Sequence, residues 1–376
     1  MDLDEYRAGL DAWLDDNAEA LVPAHTGKGT LDEQLAQIEK VKRLTFAAGW
    51  MRHGWPERVG GLGGSTLLRA YLQEAVTARD LVEPGLFSMQ EVLAPTMIDF
   101  ATPQLGAEMV PRLLRGDETW CQGFSEPGTG SNLASLACRA VRDGDTWRVT
   151  GQKVWTSLAQ YAQRCVLLAR TGSTESAHRG ITGLFVDMDS PGITVRPIEA
   201  MHGSAEFSEV FFDDVVVPAD RMLGAEGQGW NVAMDLLPYE RSTALWQRAA
   251  FLHRRLQQLL EVAPADSLDP VRLGEVTQTL YAFRARSRAT QHRMAEGETL
   301  GAETSVDKVL LATTEQAVFD LFAEALTAQL TTGDDATSAE WRAEYLYSRA
   351  ASIYGGSSEI QRNIIARRLL DLGSDR

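Results

Sequence analysis

The chain has 376 residues, with 36 Lys and Arg against 52 Asp and Glu, a formal net charge of −16. Hydrophobic residues make up 44% and charged residues 23%, ordinary globular usage that excludes disordered and fibrous classes. So negative a balance lacks the basic face that nucleic acid or an anionic membrane surface requires, and at roughly 150 residues per domain the length suggests two or three domains.

Residues 1–115 read as an N-terminal helical domain. Tyr6, Leu10, Trp13, Leu14 and Leu21 recur at steps of three and four, as do Leu68, Tyr71, Leu72 and Ala75. Met1-Asp2-Leu3-Asp4-Glu5 is acidic and has none of the apolar run of a secretory leader, so a cytoplasmic setting is expected. Gly60 to Ser65 lacks the preceding strand and following Gly-Lys-Ser/Thr of a phosphate loop; it reads as a flexible connection with Ser65 or Thr66 capping the next helix.

Residues 116–225 switch to short period-two runs, read as an antiparallel β-barrel or sandwich domain. Ala140 to Arg142 and Thr146 to Thr150 flank Asp143-Gly144-Asp145 as a hairpin, and further strands are expected at 165–169, 183–188, 193–198 and 209–217. The three cysteines (Cys121, Cys138 and Cys165) all fall here. They are too few for a disulfide framework and read as small core residues in a reduced compartment. The six histidines are scattered without metal-ligand spacing, so no metal is expected.

Residues 226–376 return to the helical period over 228–263, 268–296, 303–330 and 358–370, which makes a C-terminal bundle. The fold class is therefore α+β multidomain: helical, then β, then helical.

Four segments carry candidate chemistry. Gln122-Gly123-Phe124-Ser125-Glu126-Pro127-Gly128-Thr129-Gly130-Ser131-Asn132 is rich in turn formers and hydroxyls; it suits an ordinary surface loop, or one wrapping a planar ring edge or a phosphate. Trp155-Thr156-Ser157 ends a strand, with Trp155 either in the barrel core or offering a stacking face. Glu240 lies on the apolar stripe 233, 237, 240, 244 beside Pro238, which should kink the helix. A carboxylate facing a core costs about 2–7 kcal/mol unless paired, so Glu240 is either ion-paired with Arg241 or Arg248 or part of a site. Finally, Tyr354-Gly355-Gly356-Ser357-Ser358-Glu359-Ile360-Gln361 places two glycines before a helix start. Ser358 and Gln361 stand at capping-box spacing, so this serves capping or the close approach of a ligand.

Together with Phe211-Phe212-Asp213-Asp214-Val215-Val216-Val217-Pro218 and Gly227-Gln228-Gly229-Trp230, these segments resemble the acyl-CoA dehydrogenase family in order and distance over nearly the whole chain. The resemblance implies FAD and an acyl thioester: a base removes the α proton while the β hydride passes to flavin N5. By carry-over, Gln122, Gly123, Phe124 and Ser125 edge the flavin ring, and Trp155, Thr156 and Ser157 lie along its other side. Ser131 meets the CoA end, and Gly356, Ser357, Ser358 and Glu359 meet FAD. Arg241, Tyr354 and Gly355 border the substrate, with a backbone N–H near Gly355 and a ribityl hydroxyl as donors to the thioester carbonyl. An electron-transferring flavoprotein is the implied acceptor.

Three departures from the family pattern matter. Many members carry the base directly after the Tyr of the C-terminal loop, where this chain has Gly355; a minority place it on the first bundle helix before an Arg, which Tyr239-Glu240-Arg241 matches, so Glu240 is the expected base. The family's Arg-x-x-Phe-Gly and Gln-x-x-Gly-Gly segments, which reach a neighbouring subunit's FAD, are replaced by Pro264 to Pro270 and Ala328 to Gly333. Arg284, Arg286 and Arg288 are candidate substitutes, and either a homo-oligomer or a heteromer with a related subunit is expected. Gly355 leaves room for a branched or bulky acyl group. The alternatives are an acyl-carrier-protein thioester dehydrogenase or an oxidase on the same fold, and a non-catalytic partner subunit that completes another chain's site.

Overall fold

The computed structural model describes residues 1–129, 131–241, 243–299 and 301–373. The N-terminal part contains helices α1 (Leu3–Asp16), α2 (Ala18–Leu21), α3 (Leu31–Ala47), α4 (Thr66–Ala78), α5 (Pro84–Phe87), α6 (Met89–Phe100) and α7 (Pro103–Arg115). Their starts follow local chemistry. Thr30 and Glu33 form a reciprocal capping box on α3, and the Ser65 hydroxyl accepts the Leu67 N–H at 3.3 Å to open α4, as expected for the glycine-rich connection.

Eight strands follow: β1 (Trp120–Gly123), β2 (Arg139–Asp143), β3 (Thr146–Ser157), β4 (Arg164–Arg170), β5 (Ile181–Asp187), β6 (Ile193–Ile198), β7 (Phe207–Pro218) and β8 (Met222–Leu223). They lie in the order β6-β7-β3-β2-β4-β5-β8, with β1 beside β4. The hairpin forms as read: Asp143 stands opposite Thr146, and Gly144 takes φ 59° in the turn. The sheet is not wholly antiparallel, because β4 runs parallel to both β1 and β2. Only β3 reverses direction between β1 and β4, so β4 re-enters along β1.

The C-terminal part comprises α8 (Gly229–Glu240), α9 (Thr243–Val262), α10 (Pro270–Ala295), α11 (Thr304–Ala325), α12 (Thr327–Thr332), α13 (Ala336–Ser348) and α14 (Ser358–Arg368). The stretch 228–263 is thus two helices rather than one kinked helix. After Pro238 the chain leaves the helical path, and the Arg241 N–H turns back onto the Pro238 carbonyl at 3.0 Å. Helix α13 has no visible apolar period, since its buried residues are Ser338, Trp341, Glu344 and Ser348.

Three cores hold the molecule. The N-terminal helices share one core with the Trp120, Val166, Leu168 and Phe185 side of the sheet and with Val232, Ala233 and Leu236 of α8. The opposite side of the sheet encloses Trp147, Val149, Leu167 and all three cysteines. Helices α9, α10, α11 and α13 form the third. Helix α8 therefore belongs to the first core and α9 to the third, which puts Glu240 at their junction.

Candidate active site

The buried face of α8 is Gly229, Val232, Ala233 and Leu236, and one further turn brings Glu240 onto the same side at the helix end. Thr96 Oγ1 on α6 donates to Asp235 Oδ2 at 2.8 Å and fixes the rotation of α8. Arg248 does not pair with Glu240. It makes a two-pronged bond to Glu315, with Nε to Oε2 at 2.9 Å and a terminal nitrogen to Oε1 at 2.7 Å. Glu240 makes no ion pair among the described residues.

What faces Glu240 is the turn between α13 and α14. Gly355 and Gly356 adopt φ 62° and 89°, left-handed conformations that explain the glycine pair. A Cβ at Gly355 would stand 2.8 Å from Glu240 Oε1 and 3.2 Å from Lys308 Cε. A Cβ at Gly356 would stand 3.6 Å from a terminal nitrogen of Arg241. Thus Glu240, Arg241, Gly355 and Gly356, all singled out from the sequence, meet in space. Gln361 braces the turn by donating to the Gly355 and Gly356 carbonyls at 3.1 and 3.3 Å.

The cap of α14 is displaced by one residue from the expected box. Ser357, not Ser358, accepts the Ile360 N–H, at 3.4 Å, and Gln361 serves the glycine turn rather than a reciprocal cap. Glu359 is exposed and lies 3.9 Å from Arg362. Tyr354 packs its ring 3.9 Å from the Lys308 ammonium, and its hydroxyl points to Glu315 at 3.5 Å.

The second group gathers at the ends of β1 and β3. Ser125 O accepts the Val154 N–H at 2.9 Å, joining the loop after β1 to β3. The buried Lys153 ammonium donates to Phe124 O at 3.2 Å and to Glu126 Oε1 at 2.7 Å. Glu126 also accepts the backbone N–H groups of Ala137 and Cys138 at 2.6 and 2.9 Å. Gly123 suits this packing, because a Cβ would stand 3.0 Å from Cys165 Sγ and Leu167 Cδ1, closer than side chains normally pack.

Gln122 is partly buried and Phe124 buried, while Ser125 and Ser131 are exposed; Ser131 makes no hydrogen bond to the other candidates among the described residues. Trp155 is not a core residue: it is 59% exposed and holds φ 58°. Beside it Thr156 Oγ1 is buried without a hydrogen-bond partner among the described residues, and Ser157 is partly buried.

The two groups approach through aromatic rings. Leu158, just past β3, donates its N–H to Glu206 O at 2.7 Å. His202 of the same loop meets Tyr347 edge-on at 5.2 Å, and Tyr347 lies 6.1 Å from Tyr354.

Two findings correct or extend the sequence reading. The arginine triplet is engaged within the chain: Arg284 and Arg288 pair with Glu74 at 2.5 and 2.7 Å, and Arg286 with Asp307 at 2.6 Å. Their work is to bind α10 to α4 and α11. Lys308, missed in the sequence, lies on a face of α11 buried at 304, 308, 311 and 315, and a lysine at those steps was the available signal.

Among protein families, the acyl-CoA dehydrogenase N-terminal, middle and C-terminal domains match residues 4–117, 121–215 and 227–370. The acyl-CoA dehydrogenase IpdE1 of Mycobacterium tuberculosis is 40% identical, over 99% of this chain and 98% of its own. Among solved structures, a variant of the Tcur3481-Tcur3483 steroid ACAD superposes with a TM-score of 0.84 at 26% identity, covering 100% of this chain and 99% of that one. The ChsE4-ChsE5 complex from Mycobacterium tuberculosis gives 0.81 at 26% identity, covering 99% and 98%.

Proposed function

Because the chain belongs to the acyl-CoA dehydrogenase family, whose members are FAD-dependent, we propose that Glu240 is the base of its acyl-CoA dehydrogenation. The observation that carries this reading is the convergence of Glu240 on Gly355: the carboxylate occupies the space that a side chain at 355 would fill. Glu240 takes the α proton of the acyl thioester. The Gly355 N–H, which has no hydrogen-bond partner among the described residues, donates to the thioester carbonyl and so acidifies that proton.

The residues at the sheet edge fit a flavin. Trp155 offers an open ring face, and the Thr156 hydroxyl beside it finds no polar partner among the described residues. Gln122, Gly123, Phe124, Ser125 and Ser157 would border the ring, with Gly356, Ser357, Ser358 and Glu359 toward the C-terminal turn. Bound there, FAD supplies the acceptor for the β hydride. Arg241 and Tyr354 border the thioester, and Ser131, exposed on its loop, suits the CoA end.

A bulky, ring-containing acyl group is the favoured substrate, supported by the likeness to a steroid ACAD; the space expected at Gly355 is taken by Glu240 and Lys308 and does not itself argue for bulk. An assembly with a related subunit is supported by the likeness to a two-chain complex and by the arginine triplet being engaged within this chain. The electrons would pass to an electron-transferring flavoprotein. No helix among the described residues is long and apolar enough to cross a membrane, and the reading places the enzyme in the cytoplasm.

The test is anaerobic bleaching of the bound flavin by straight-chain, branched and steroid side-chain CoA thioesters, alone and with a co-expressed related subunit. Glu240→Gln should keep FAD and lose bleaching. Undiminished bleaching would remove Glu240 from the reaction, and a colourless protein would favour a non-catalytic partner role.

A further inference from the structure

Resting on the reading of Glu240 as base, we propose that Lys308 is its positioning residue: the buried ammonium holds the Glu240 carboxylate aimed at the Gly355 turn. Lys308 stands on α11 and is 3% exposed. Its ammonium is clamped between the Ala351 carbonyl, at 2.5 Å, and the face of the Tyr354 ring, at 3.9 Å. Both anchors belong to the segment that leads into Gly355. Its Cε and the Glu240 carboxylate converge on the same point, the space above the Gly355 Cα. Among the described residues no ion pair joins Lys308 to Glu240, so the ammonium acts through its field and leaves the carboxylate oxygens open to a substrate proton.

Several elements bring charge to Lys308: Glu240 and Arg241 face it from the end of α8, Arg248 from α9 and Glu315 from α11, and the Tyr354 ring from the C-terminal turn covers its ammonium. Arg248 is already committed to Glu315 by two hydrogen bonds, which leaves Glu240 as the carboxylate without its own cation. Burial pushes the Lys308 ammonium down to about 8, with Glu240 opposing the shift. The clamp is therefore charged below about pH 8 and lost above it.

The experiment follows anaerobic flavin reduction against pH in the FAD-loaded enzyme, using the CoA thioester that bleaches the wild type fastest. Lys308→Met loses the aim of the carboxylate at every pH, so it should slow reduction about tenfold near neutrality and show no further fall near pH 8, with KM and FAD content kept. Lys308→Arg preserves the charge at all working pH values, so it should keep the neutral rate and lose the alkaline fall near pH 8.

A fall near pH 8 that persists in Lys308→Arg or in Lys308→Met, or equal slowing by both variants, would overturn the proposal. Were Lys308→Met to fail to fold, the alkaline limb of Lys308→Arg decides alone. Bleaching that survives in Glu240→Gln defeats the base itself; bleaching lost there with unmoved Lys308 profiles defeats only this inference.

Discussion

Gly355 and Glu240 occupy one space: a Cβ on the glycine would stand 2.8 Å from the glutamate Oε1. The glutamate comes from α8 and the glycine from the turn before α14, more than a hundred residues apart in the chain. Each fits only because of what the other is. A side chain at 355 would displace the carboxylate, and the left-handed turn at 355 disfavours a side chain on its own account.

Gly355→Ala should therefore do two separable kinds of damage. The left-handed backbone costs about 1–2 kcal/mol, read as a fall of a few degrees in Tm. The new methyl also pushes Glu240 aside, so flavin reduction should slow about tenfold or more, beyond what the lost stability explains. Rapid-mixing absorbance and calorimetry on the same preparation measure both. A variant that loses stability but keeps its reduction rate would show that Glu240 has room to move.

Lys153 and Glu126 form a buried pair that ties the loop after β1 to β3. Removing one partner of such a pair leaves a buried charge and costs about 3–5 kcal/mol. Lys153→Met should lower the unfolding free energy read from urea titration by that amount and reduce FAD occupancy, since Phe124 O and Glu126 lose their shared donor. Adding Glu126→Gln should restore part of the stability, because the amide still accepts from Ala137 or Cys138 without a stranded charge. A double variant as unstable as the single one would contradict this account.

Burial pushes Glu206 up to about 7 from its ordinary 4.5; Glu83 adds to the shift, while Lys28 and Arg248 oppose it. The folded state thus holds a proton that the unfolded state releases. The associated stability is complete below about pH 4.5 and is lost as the pH rises to about 7. Glu206→Gln removes this dependence. Its Tm should exceed that of the wild type by an amount worth on the order of 1–2 kcal/mol above pH 7, with the difference shrinking toward pH 4.5. A constant offset across that range would assign the effect to packing instead.

Local chemistry determined much of this protein. The hairpin at Gly144, the cap at Ser65, the strand at 193–198 and the helical succession on either side of the sheet all follow from turn residues and periods confined to a few neighbours. The ordered motifs were enough to name the family, because motif identity and spacing are properties of the chain itself.

Tertiary structure decided the rest, wherever the deciding partner is remote in sequence. Whether Glu240 pairs with Arg241 or Arg248 depends on Glu315, which already holds Arg248. The arginines of α10 look like a free cationic run until Glu74 and Asp307 are brought against them. Trp155 reads equally well as core or as an open face, and only the exposed end of β3 distinguishes the two. Lys308 carries no motif, and its position over Tyr354 and beside Glu240 exists only once α8, α11 and the C-terminal turn have packed. Burial and field strength arise from three-dimensional neighbours, so the charges that set the chemistry are the residues a linear reading resolves last.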